Sequence, residues 1–201
     1  MSRPTKAEII KQMSDRQVTA QLVFTQLILL ALALIISFFL FESYLADWLV
    51  LFHVSLAELF WFGLIPGLSI LLIDFILMRT MPKRYYDDGG INEKVFRTRS
   101  IPSILWLTLL VAVSEEMLFR GVLHTEFGYV LASVLFAVMH IRYLNKPVLL
   151  ISVLIVSFFI GYMFEMTGSL PVTILSHFVV DAVLGLWIRF GLWEGRTINA
   201  K

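Results

Sequence analysis

The sequence contains no cysteine. That excludes a disulfide framework and thiolate chemistry, and with them any zinc held by cysteine. Charge is scarce: Asp, Glu, Lys and Arg make up 15% of the 201 residues, against about 25% in a typical soluble domain. The formal net charge is +1, and no basic patch is interleaved with aromatics, so nothing points to nucleic acid. There is no HExxH helix of the zincin kind, no internal repeat and no low-complexity stretch. No small-residue cleavage site follows the charged N-terminus, and the first apolar run is too long for a signal-peptide core, so it reads as a retained span.

What the chain has in excess is apolar sequence. Hydrophobic residues make up 59% of it, and the mean hydropathy is +0.85. The composition predicts an all-α, polytopic membrane bundle. Residues 1–17 read as a polar N-terminal arm, in which Lys6, Lys11 and Arg16 can touch anionic lipid heads, and 18–201 as a single transmembrane domain. About six spans of roughly 20 residues can be drawn, at 18–41, a second ending at about Met78, then 101–123, 129–144, 148–165 and 170–190. WLVLFHVS (48–55) either lies in the interface or opens the second span, which Gly63, Pro66 and Gly67 are expected to kink. Residues 79–100 form the one long polar loop, and His124–Gly128 a tight turn. With six spans, the Lys and Arg residues outside the spans all fall on one side. The positive-inside rule then places both termini in the cytoplasm of a prokaryotic cell.

Six ionisable residues fall in short polar motifs within the third, fourth and sixth spans. Each costs roughly 2.5–3.5 kcal/mol to insert at membrane depth, so a chain keeps them only if they are paired or used. The third span carries Glu115, Glu116 and Arg120 in SEEMLFRG; the fourth carries His140 near its end; the sixth carries His177 and Asp181 in HFVVD. Glu116 and Arg120 stand four apart with the carboxylate first, the favourable order for a helical ion pair, which leaves Glu115 for chemistry. His177 and Asp181 are also four apart, and a carboxylate beside an imidazole fixes its tautomer or makes it a proton carrier. Each cluster alone is equally well read as helix-to-helix glue. Together they supply what water attack on an amide needs: a base, a general acid, and a donor or cation for the oxyanion. A divalent metal such as zinc, on Glu115, His140, His177 and Asp181, would use the same groups. Straight helices do not bring these residues to one depth, so a shortened or re-entrant third helix is expected.

EEMLFR, FAVMH and HFVVD, in that order on separate spans, resemble the EExxxR, FxxxH and HxxxN/D motifs of the CPBP family, the CAAX-protease-like and bacteriocin-processing (Abi) intramembrane proteases. The resemblance covers about 102–190. It implies an endopeptidase acting on a membrane-associated peptide or protein. Glu115 and His140 would bind and activate the water, and His177 with residue 181 would bind the oxyanion. Residue 181 is Asp where prenyl-protein-processing members carry Asn, which leans towards a metal. The rival readings are a non-catalytic scaffold or binding protein of the bacteriocin-immunity type, and a proton-coupled transporter.

Overall fold

The protein is described by a computed structural model covering residues 9–10, 12–82, 85–143 and 146–192. Most of the polar arm, with Lys6 and Lys11, lies outside the described residues. So do Lys83, Arg84, the Leu144–Asn145 pair and the tail from 193. All regular structure among the described residues is helical: α1 (Asp15–Leu40), α2 (Tyr44–Leu51), α3 (Leu56–Thr80), α4 (Ile91–Phe96), α5 (Ile101–Phe127), α6 (Tyr129–Met139), α7 (Pro147–Thr167) and α8 (Leu170–Arg189). The chain forms the expected polytopic bundle, in which α1, α3, α5, α7 and α8 are long and apolar enough to cross a membrane.

Local chemistry sets the ends of these helices. Ser14 and Gln17 close a reciprocal capping box, Ser14 Oγ accepting from Gln17 N at 3.3 Å and Gln17 Oε1 from Ser14 N at 2.8 Å, so α1 starts at Asp15. WLVLFHVS is divided between two elements: α2 stops at Leu51, and Ser55 caps α3. A π-helical segment, Leu59–Leu64, runs up to Pro66, which lacks the N–H that a regular α ladder needs there. The predicted turn at His124–Gly128 is instead helix as far as Phe127, and the chain turns at Gly128 with φ +88°. The long polar loop contains α4, which buries Ile91 and Val95 and is capped by Asp88, whose carboxylate accepts from the amides of Gly90, Ile91 and Asn92.

The fourth apolar segment departs most from expectation. Helix α6 has 11 residues, about 16 Å of helix against about 30 Å of hydrocarbon, so it cannot cross alone. His140 closes it partway through the bundle. The shortening expected of the third span falls on the fourth; α5 runs 27 residues, with a π-helical segment over Met117–His124. Measured from the shared end where α5 finishes and α6 and α8 begin, Glu115, His140 and His177 all lie about 10–18 Å deep.

Helix α8 is central, packing against α5, α3 and α7, while α1 lies along α5. In the α3–α8 contact, a Cβ added at Gly63 would stand 3.1 Å from the carbonyl oxygen of Val172, and one at Gly67 3.0 Å from that of Ser176. This GxxxG pair brings two backbones together as small residues do in membrane helices, one residue from His177. Polar contacts gather at the opposite end of the bundle. Lys94 meets Asp15 at 2.8 Å, Arg99 Nη2 donates to Thr19 Oγ1 at 2.9 Å, and Arg189 Nη1 donates to the carbonyl oxygen of Arg97 at 3.4 Å.

Candidate active site

The two glutamates sit where α5 passes from α to π geometry, a feature frequent at functional sites. Glu116 is 0% exposed and Arg120 1%. Arg120 Nη1 donates to Glu116 Oε1 at 3.3 Å, and Nη2 donates to the carbonyl oxygen and Oγ of Ser157 on α7 at 2.9 and 3.1 Å. The guanidinium also lies 4.7 Å from the ring centroid of Phe136 on α6. One arginine thus ties α5 to α6 and α7, and Ser157 Oγ extends the link by donating to the carbonyl of Ser133 on α6 at 3.1 Å.

Glu116 does more than neutralise Arg120. Its Oε1 also accepts from His177 Nδ1 at 2.8 Å. A carboxylate has no hydrogen to give, so Nδ1 is the donor and the ring is held with Nε2 pointing the other way. Nε2 faces two further carboxylates, 3.5 Å from Asp181 Oδ2 and 4.0 Å from Glu115 Oε2. Asp181 is the most open of the three, its side chain 33% exposed against 13% for Glu115. The structure therefore brings Glu115, Glu116, His177 and Asp181 into one cluster.

Among the described residues His140 makes no hydrogen bond into the cluster. Its Nδ1 meets the carbonyl oxygen of Phe136 at 2.9 Å. A carbonyl only accepts, so Nδ1 carries the hydrogen and Nε2 keeps its lone pair. The Phe136 ring contacts both imidazoles, with centroids 5.0 Å from His140 and 6.0 Å from His177. The aromatic of FxxxH thus packs against both histidines and the arginine.

The expected metal ligands are Glu115, His140, His177 and Asp181. Among the described residues no group of three or more His, Asp or Glu side chains is arranged to hold a metal ion. His140 does not join the carboxylates around His177, and the residues as placed do not fit that ligand set.

Several partners are invisible to motif reading. Gln26 on α1 is 7% exposed and donates Nε2 to Glu115 Oε1 at 3.3 Å, across 89 positions of sequence. Its Oε1 is buried without a partner, an arrangement that costs about 1–3 kcal/mol. Asp74 on α3 faces the charge of Asp181 across the α3–α8 contact, while the Arg79 guanidinium lies over Phe75. His124 is buried, and its Nε2 meets Glu165 on α7 at 2.7 Å. The only signal in the sequence for any of these was a polar residue inside an apolar run.

Residues 97–183, which hold all three motifs, match the family described as Rce1-like, type II CAAX prenyl endopeptidase. Among curated proteins the chain is similar to "Uncharacterized protein YpbD" of Bacillus subtilis (strain 168). The two are 45% identical over 166 residues, covering 83% of this chain and 87% of the relative. No solved structure matches significantly. Identity of that extent across most of both chains, with the matched region centred on the buried cluster, shows that the chain belongs to the Rce1-like family of type II CAAX prenyl endopeptidases.

Proposed function

We propose that the protein is an intramembrane endopeptidase that hydrolyses a peptide bond of a membrane-associated peptide or protein, with Glu115 as general base. The observation that carries this reading is the His177 ring, held through Nδ1 by the buried Glu116 with Nε2 facing Glu115 and Asp181. Water held between Glu115 and His140 Nε2 loses a proton to Glu115, and its oxygen attacks the scissile carbonyl carbon. The oxyanion takes a hydrogen bond from Nε2–H of His177 in its doubly protonated form, whose Nδ1–H is held by Glu116 and whose ring lies beside Asp181. The proton on Glu115 then passes to the amide nitrogen, the C–N bond breaks, and an acid and an amine leave. Positioning and a dry, preorganised donor supply most of the acceleration. Water reaches the cluster from the more exposed Asp181 side, and the end rich in Lys and Arg is cytoplasmic.

The test is cleavage of internally quenched peptides, prenylated and unprenylated, by the purified protein in detergent, with the products identified by mass. The wild type cuts at a single bond, and His140→Ala cuts at least about 100-fold more slowly, the usual reach of acid–base catalysis. Wild-type turnover by His140→Ala would overturn the assignment.

A further inference from the structure

The matched family region begins at residue 97, yet one side chain that touches Glu115 comes from α1. Only a narrow stripe of that helix is buried, formed by Val18, Gln26, Ala33 and Ser37. Ala33 and Ser37 pack, and Ser37 Oγ accepts from Trp48 Nε1 at 3.2 Å. Gln26 is different, because it brings an amide into an apolar contact and leaves the oxygen unpaired. Filling space there would be better done by an apolar residue of the same shape. The carboxylate fixes which way the amide faces. Glu115 can only accept, so Gln26 must offer Nε2, and Oε1 is left turned away from it.

We propose that Gln26 is a positioning residue of the active site, holding Glu115 Oε1 so that Oε2 faces the reacting water and His177. This rests on the hydrolase reading. The bond pins one carboxylate oxygen on the α1 side and leaves the other, 4.0 Å from His177 Nε2, in the cluster. Without it the Glu115 side chain has free rotamers in a site 13% exposed, and the base is misplaced for part of the time. The charged and titratable groups around Glu115 come from its own helix (Glu116, Arg120) and from α8 (His177, Asp181); α1 contributes only the neutral Gln26. Helix α1 is then part of the catalytic unit and more than a lipid-facing anchor.

Two near-isosteric variants of the full-length protein, Gln26→Met and Gln26→Glu, test this with the quenched peptides above and with thermal unfolding in the same detergent. Methionine keeps the volume and loses the donor. The expected result for Gln26→Met is a kcat lower by about 10- to 100-fold, a KM within about twofold, and a thermal midpoint held or raised, because the unpaired acceptor is gone. Gln26→Glu sets two carboxylates together and loses kcat at least as far. Wild-type kcat in Gln26→Met overturns the proposal, as does a parallel fall of kcat and thermal midpoint, which marks a packing role. A wild type showing no cleavage beyond Glu115→Gln fells the hydrolase reading itself, a separate outcome visible before any Gln26 variant is compared.

Discussion

Replacing Arg120 by methionine is the sharpest test of how the bundle is held. The variant keeps an unbranched apolar stem and removes the charged head. Three things are lost together: the pairing of a fully buried Glu116, two donors to Ser157 on α7, and the guanidinium over Phe136 on α6. Breaking a buried pair from one side costs about 3–5 kcal/mol, chiefly because the remaining charge has no partner. For a chain of this size each kcal/mol moves the melting temperature by about 2–4 °C, so a fall of about 6–20 °C is expected. Thermal unfolding in detergent, followed through the five tryptophans, measures it. The double variant Glu116→Gln/Arg120→Met removes both charges and should recover about 1–3 kcal/mol relative to the sum of the singles. A shift below about 3 °C for Arg120→Met, or additive singles, would refute the view that this pair is the tie between α5, α6 and α7.

Other perturbations probe the site's surroundings. Gly67→Val puts a branched side chain where even a Cβ stands 3.0 Å from the Ser176 carbonyl, so about 1–3 kcal/mol of stability and most activity should go; wild-type melting would show that the α3–α8 contact yields freely. Asp181→Asn should cleave within about tenfold of wild type, because an amide can orient or assist at the oxyanion, whereas Asp181→Leu should lose about 100-fold or more. Equal rates for the two would remove Asp181 from the site. Treatment with EDTA or 1,10-phenanthroline should leave cleavage unchanged, since the described donors do not gather around one ion; loss of activity restored by added zinc would contradict that arrangement.

The sequence carried the class of fold and most helix ends in local signals. Ser14 with Gln17, the prolines in the first turns of α5, α7 and α8, and the glycines at 128 and 168 each act within a few residues. What it could not carry was depth and cross-chain pairing. Residues 129–144 are apolar almost throughout, and nothing in them says that the helix stops at Met139 and leaves His140 partway down. The Glu116–His177 and Gln26–Glu115 bonds join positions 61 and 89 residues apart, so no spacing rule announces them. Glu116 read as a simple counterion for Arg120 because a four-residue spacing is visible in sequence and a contact to another helix is not. Three polar motifs on three apolar segments are still enough to point to a meeting of Glu115, His177 and Asp181; the structure places both carboxylates within 4.0 Å of His177 Nε2.

The most direct test is Glu115→Gln, an isosteric change that removes the base and keeps the acceptor for Gln26. The account predicts peptide cleavage reduced at least about 1,000-fold with a melting temperature within about 2 °C of wild type. A folded Glu115→Gln protein that still cuts the peptides at the wild-type rate would contradict it.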